Sequence, residues 1–392
     1  MDMRKISLIV SVLLGFIGTV VYFVTIPTVD EEALVNVVIE AGDEKVLEDI
    51  YFNGYLYDYS DFQVTQEGVH TTKGLSYLEN LDAPLEMDLQ MLQKNYPEFI
   101  NQLIYNMNIY SKNLVFSDSY LTSAHFQSSE GNYRIETEKI HLNLLDKTTG
   151  EIKSEIVNRG NNQAGDGVDV VGIYENYPTV KVLLSINTWG DNFSEESSRV
   201  ILGEYNFETK TYSEEKLVEK QGGFYGDYIN PNQSTALINH YSASEDVNYL
   251  FDYENGSLMP IEREGKVFLL DEDSRLFAVA NVDGETVLQS YEMTDGGGLE
   301  PAGEVPLAIE YELTLNEDAF AFIEAELVGD YLYVIQNQEN FESDGKVLPA
   351  SIQVFDRTTG ENVMSGSIRF DEKNEVQARS GFVDSIGQLS DY

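Results

Sequence analysis

The chain contains no cysteine. That excludes a disulfide framework, a thiol nucleophile, a thiolate metal site and a lipid-modified N-terminal cysteine. Histidine is nearly as scarce, at His70, His125, His141 and His240. Their spacing contains no H-E-x-x-H and no zinc pair. His240 falls inside a strand pattern, where a packed ring is expected. Basic residues are also few: 24 Lys and Arg against 68 Asp and Glu give a formal net charge of −44. Such a surface repels nucleic acid and anionic lipid, so neither is expected as a partner. Its plainest use is solubility; attraction of cations or of a basic partner is the sharper one. There is no G-x-S-x-G nucleophile elbow, and carboxylates are too abundant to single out a catalytic pair.

Long apolar runs are absent except for one. ISLIVSVLLGFIGTVVYFVTI, residues 6–26, carries no charge and is long enough to span a bilayer as a helix. Arg4 and Lys5 precede it; Asp30, Glu31 and Glu32 follow. The positive-inside rule then makes residues 1–5 a cytoplasmic tail and places the remainder outside the cell membrane. A cleaved signal peptide is the competing reading, but the run is long for one and no A-x-A-like site follows it. The expectation is a single-pass anchor over 6–26, a linker and first strand over 27–45, and an extracytoplasmic body over 46–392.

The body reads as strands. Hydrophobic residues make up 42% of the chain and aromatics 11%, mostly 25 Tyr and 19 Phe, enough for a packed core with half-buried strands. Short alternating runs are split by Asn-Gly, Asp-Gly and Thr-Gly turns. One exception is PEFINQLIYNM, residues 97–107. There Phe99, Ile100, Leu103, Ile104 and Met107 share a helical face, with Asn95 and Pro97 as start signals. It predicts one amphipathic helix inserted at about residues 86–108.

A phrase recurs. LDKTTGE (145–151) returns as FDRTTGE (355–361), and degenerate copies lie between them: YNFETKT (205–211), FDYENGS (251–257) and YEMTDGG (291–297). The key position is Asp146, Asn206, Asp252, Glu292 and Asp356, at spacings of 60, 46, 40 and 64 residues. A period of that size among short strands signals a repeat array. Each unit reads as strands a, b, c and d, with the phrase between c and d. KVFLL, RLFAVAN, TVLQSYEM and a strand near 299–305 form one such unit. Five units run from about 112 to 370, and residues 46–80 read as another. LVNVVIE (34–40) and the tail 371–392 are expected to pair the two ends in a closing blade. The fold class is therefore all-β: a β-propeller of six or seven four-stranded blades, preceded by one transmembrane helix.

The phrase reads as turn chemistry. Gly150, Gly256, Gly296 and Gly360 supply a positive φ, and Asp146 or Asp356 caps backbone N–H groups two or three residues on. Strand–Asp–x–x–Thr–Gly–Glu–strand resembles the repeat of quinoprotein-type and WD40-like β-propellers over roughly 260 residues. The resemblance implies architecture and no activity. The chain departs from both families. Its one tryptophan is Trp189, so the blade-closing tryptophans of quinoproteins and the Asp-Trp pair of WD40 repeats are missing. Quinoprotein-type paired cysteines and the sialidase S-x-D-x-G-x-x-W box are also missing. No cofactor is implied.

Antiparallel strand order places the a–b and c–d turns on one rim and the b–c and d–a loops on the other. The first set is short. Long loops are expected in the second set at 127–137, 158–167, 187–198 and 337–348, the pattern of a binding rim on a rigid scaffold. Trp189, Asp191, Phe193, Tyr133, Asn340 and Phe341 are the candidate binding residues there; exposed aromatics are common anchors. No catalytic residue and no metal ligand set stands out. Calcium is left open only by the acidic runs DEDS (271–274) and GDGVD (165–169), neither with EF-hand spacing. The leading expectation is a membrane-anchored module that binds a protein or glycan partner at the cell surface as a sensor, accessory subunit or scaffold. A glycan-acting hydrolase or lyase with acidic residues at the propeller centre is the alternative, and an adhesive surface protein a second.

Overall fold

The computed structural model describes residues 35–56, 61–66, 68–71, 92–106, 113–128, 135–159, 166–189, 195–226, 233–242, 247–262, 266–294, 298–309, 323–337, 349–370 and 381–388. These residues form six antiparallel sheets; four are meanders of strands consecutive in the chain, and the other two each take in one strand from the opposite end. Blade 2 contains Leu114–Phe116, Tyr120–Ser128, Ile135–Asp146 and Ile152–Asn158. Blade 3 contains Asp166–Asn176, Thr179–Trp189, Glu195–Asn206 and Thr211–Lys220. Blade 4 contains Gly223–Gly226, Thr235–Tyr241, Val247–Asp252 and Ser257–Glu262. Blade 5 contains Lys266–Leu270, Leu276–Val282, Glu285–Met293 and Leu299–Pro306. Blade 6 contains Ile323–Val328, Tyr331–Gln336, Ala350–Asp356 and Asn362–Phe370. The architecture is that of a β-propeller.

Blade 1 joins the two ends of the chain. Its inner strand is Gly381–Gln388, and Ile50–Leu56, Asp61–Thr65 and Gly68–Thr71 follow outward. The N-terminal strand Val35–Gly42 goes elsewhere. It adds a fifth strand to blade 6, pairing Val35 with Phe370 and Gly42 with Met364. The expected single closing blade is thus corrected: each end of the chain latches onto a different sheet. The 3-10 turn Glu44–Leu47 links the latches, and the Tyr333 hydroxyl of blade 6 donates to the Val46 carbonyl at 2.5 Å. Buried Asn337 completes the closure. Its amide donates to the Val383 carbonyl at 2.8 Å and accepts from the Val383 N–H at 2.9 Å.

Alternation along each strand sends one set of apolar residues to each neighbouring blade. Ala124, Ile140 and Leu142 of blade 2 meet Val180, Val182 and Leu184 of blade 3. Leu183 and Leu202 of blade 3 meet Ile238 and Phe251 of blade 4. Similar clusters join blades 4 and 5, 5 and 6, and 6 and 1. Among the described residues, no apolar cluster joins blade 1 to blade 2.

The inserted helix, α1, spans Pro97–Asn106. Phe99, Ile100 and Leu103 are buried against Leu114, Leu121 and Leu145 of blade 2. This matches the expected face; the Ile104 side chain and Met107 lie outside the described residues. So do residues 1–34, including the expected anchor. Among the described residues no helix is long and apolar enough to cross a membrane.

Candidate functional site

One rim is built from locked turns. In LDKTTGE the Asp146 carboxylate accepts from the N–H of Thr148 at 2.8 Å and Thr149 at 3.0 Å. Gly150 donates to the Asp146 carbonyl at 2.8 Å, with φ of 73°. FDRTTGE repeats this: Asp356 accepts from Thr358 and Thr359 at 2.9 and 2.8 Å, and Gly360 has φ of 72°. Asn206 does the same for Glu208 and Thr209, and Asp252 for Glu254 and Asn255. The backbone bond from Thr149 is the main cause that holds the Asp146 carboxyl below the usual range, and that from Thr359 does so for Asp356. The fifth copy departs. Glu292 stays in its strand opposite Glu300, and the turn closes later, with Thr294 N–H donating to the Gly298 carbonyl at 2.8 Å. Gly296 lies outside the described residues.

The turns of this rim also bond to one another. The residue after each key position donates its N–H to the a–b turn of the same blade: Lys147 to Ser119, Phe207 to Pro178, Tyr253 to Ser234 and Arg357 to Asp330, at 2.9–3.0 Å. These bonds place the a–b and c–d turns together on one rim, as strand order requires. The acidic run DEDS, where calcium was left open, is part of the same framework. Buried Asp271 accepts from the N–H groups of Asp273 and Arg275 and pairs with the Arg275 guanidinium at 2.6 Å. Its carbonyl takes the Gln233 amide of blade 4, and Glu272 takes the Gly329 N–H of blade 6. The carboxylates are thereby committed to the protein. Glu175 likewise accepts from Ser117 and from the Tyr177 N–H. Of GDGVD, Gly165 and the Asp166 side chain lie outside the described residues, and Asp169 accepts from the Val170 N–H at 3.0 Å. Among the described residues no cluster of three metal-ligating side chains occurs.

The opposite rim carries the connections at 57–60, 129–134, 160–165, 190–194, 310–322, 338–348 and 371–380; the a–b link of blade 4 between Gly226 and Thr235 on the turn rim is longer than several of these, and the b–c turn of blade 5 is only Asp283–Gly284. Several of the loop-rim connections are shorter than the sequence pattern predicts. Strand pairing continues through Asn187 with Ser198, Thr188 with Ser197 and Trp189 with Glu195. Buried Asn187 is held there by the hydroxyls of Ser185 and Ser198. Asn, Ser and Glu are poor strand formers in isolation, which hid this extension of the hairpin. Trp189 is therefore a strand-end residue on the rim. Its side chain lies outside the described residues, as do Tyr133, Asp191, Phe193, Asn340 and Phe341.

Strand-end aromatics that the loop argument passed over lie on the same rim. Tyr55 is the penultimate residue of the second strand of blade 1 and stacks on Phe382 with centroids 5.4 Å apart, yet remains 42% exposed. Tyr241 ends the second strand of blade 4 and is 70% exposed. Their signal was positional: an aromatic in the last two strand residues before a b–c loop.

The histidines are less scattered than their sequence spacing. His125 and His141 are cross-strand partners in blade 2, with rings stacked at 5.5 Å. His125 is buried, and neither ring nitrogen has a hydrogen-bond partner. Burial first, and then the His141 charge, holds its pKa down to about 3. Stacked rings do not converge on one metal ion. The pair lies on the blade 2 face that carries Ser123, Asn143 and, beneath α1, Leu121. His240 packs as expected, buried against Phe224 and Tyr249.

No protein-family model matches the chain, and no curated protein matches it by sequence. Its matches among solved structures are weak. The β-propeller domain of the Trilobed protease from Pyrococcus furiosus is 9% identical, with a TM-score of 0.34 over 65% of this chain and 72% of that one. TolB from Acinetobacter baumannii is 10% identical, with a TM-score of 0.36 over 87% and 66%. Acylaminoacyl peptidase from Pyrococcus horikoshii is 10% identical, with a TM-score of 0.32 over 65% of this chain and 40% of that one. At such values these likenesses assign neither family nor activity; the fold rests on the strand pairing itself.

Proposed function

We propose that this chain is a membrane-anchored extracytoplasmic β-propeller that binds a protein or glycan partner through its long-loop rim, as a sensor, accessory subunit or scaffold. The observation that carries this reading is the exposure of Tyr55 and Tyr241 at strand ends on that rim. Exposed aromatics on rigid strand ends lose little side-chain entropy on binding, which makes them effective anchors. Trp189, Asp191, Phe193, Tyr133, Asn340 and Phe341 would extend the same surface. The buried carboxylates Glu175, Asp252 and Asp271 sit on the turn rim and hold turns, which favours binding over acid catalysis.

The test replaces residues 190–194 and 338–348 with two-residue turns and isolates the tagged full-length chain from membranes. Loss of co-purifying partners with unchanged thermal unfolding is the expected result. Retention of every partner at the original yield overturns the proposal.

A further inference from the structure

The N-terminal strand begins on the long-loop rim. Val35 pairs with Phe370, the last residue of the outer blade 6 strand, and both are buried. That strand starts at the c–d turn, so Phe370 and Val35 lie on the long-loop rim. Only residues 27–34 separate Val35 from the apolar run 6–26. Fully extended, at roughly 3.3–3.6 Å per residue, they reach about 30 Å. The opposite rim stands about 20 Å farther away, since blade strands of six or seven residues rise about 3.3 Å per residue.

We infer that the binding rim faces the membrane, and that its occupant is the extracytoplasmic surface of an integral membrane protein in the same bilayer. This rests on the anchor reading of residues 6–26. A tether joined to a buried strand end pulls this rim inward, with Tyr55 and Tyr241 on it. The net charge of −44 opposes contact with anionic lipid, a repulsion that acts over about 8 Å at physiological salt. Tether and charge together leave a gap of some 10–30 Å, the height of short loops on a neighbouring membrane protein. A soluble glycan in the exterior would meet the turn rim first.

Because the chain has no cysteine, single labels are clean. Tyr241→Cys and Glu254→Cys place a donor dye on opposite rims of blade 4. The full-length chain is reconstituted into neutral phosphatidylcholine vesicles that carry a lipid-bound acceptor. Energy transfer from position 241 should exceed that from 254 by about twofold, given rims about 20 Å apart. Inserting a long Gly-Ser segment after residue 34 should abolish the difference. In native membranes, a photo-crosslinker at position 241 should capture a protein that itself resists carbonate extraction. Equal or greater transfer from 254 in a chain that carbonate does not release overturns the orientation and leaves the anchor standing. If the captured protein is one that carbonate releases from membranes that were not crosslinked, the assigned occupant is overturned. Release of the unmodified chain by carbonate overturns the anchor and this inference together.

Discussion

The two rims of this propeller are made of the same strands and differ in everything between them. On the turn rim, four copies of one capped turn repeat, and each is bonded to its neighbouring a–b turn. The carboxylates there are committed to backbone amides and guanidinium groups. On the loop rim, connections vary in length, and Tyr55 and Tyr241 stand exposed near strand ends; on the turn rim Tyr225, beside the a–b turn of blade 4, is also exposed. The difference separates two tasks. Sequence repeats mark where the fold is stabilised, and irregular stretches mark where a partner can be met.

The largest expected effect divides the two best copies of the phrase. Gly150 and Gly360 share the same φ, but a Cβ on Gly360 would lie 1.8 Å from the Pro306 carbonyl oxygen, while one on Gly150 would meet nothing within 4 Å. Gly360→Ala should therefore cost about 3 kcal/mol or more, and Gly150→Ala about 1 kcal/mol from φ strain alone. Urea unfolding measures both. Equal losses would mean that the turn rim is not packed as described.

His125 asks whether stability also resides away from the turns. Its folded pKa lies near 3, below the usual value near 6.5. The unfolded chain thus binds a proton that the folded chain does not. The contribution is complete above pH 6.5 and is lost as pH falls below it. His125→Phe should flatten that limb, removing on the order of 1–2 kcal/mol of the stability change between pH 7 and 5. An unaltered pH profile in the variant contradicts the assignment of a buried, neutral ring.

A smaller effect tests whether the turn rim is optimised throughout. The Tyr253 hydroxyl is buried without a partner, and burial raises its pKa. Removing an unsatisfied buried hydroxyl relieves its desolvation, so Tyr253→Phe should leave stability unchanged or raise it by about 1 kcal/mol. Clear destabilisation in calorimetry would show that the hydroxyl has a role in the packing. The smallest effect belongs to the loop rim: shortening 190–194 should change unfolding free energy by less than about 0.5 kcal/mol, because loop closure depends only weakly on length.

Much of this was legible in the sequence because it is local. TALINHY, KVFLL, YLYVIQ and ASIQVFD are strands at the expected bounds. Phe99, Ile100 and Leu103 face inward from their helix. What escaped depends on pairing across distance or on register. The separate latching of 35–42 and 381–388 joins residues hundreds of positions apart, which no local pattern encodes. The His125–His141 stack requires the hairpin register. Glu292 matched the motif by charge, but its strand continues past the position where the other copies turn. The candidate site was legible only as a rim: position in the blade picks out Tyr55 and Tyr241, and nothing in composition does.

The most direct test sets the rims against each other in one co-purification from membranes. One variant replaces residues 190–194 and 338–348 with short turns; the other carries Gly150→Ala. The account predicts that the first loses its partners at unchanged melting temperature, while the second keeps them at a lower one. Partners retained by the first and lost by the second would contradict it.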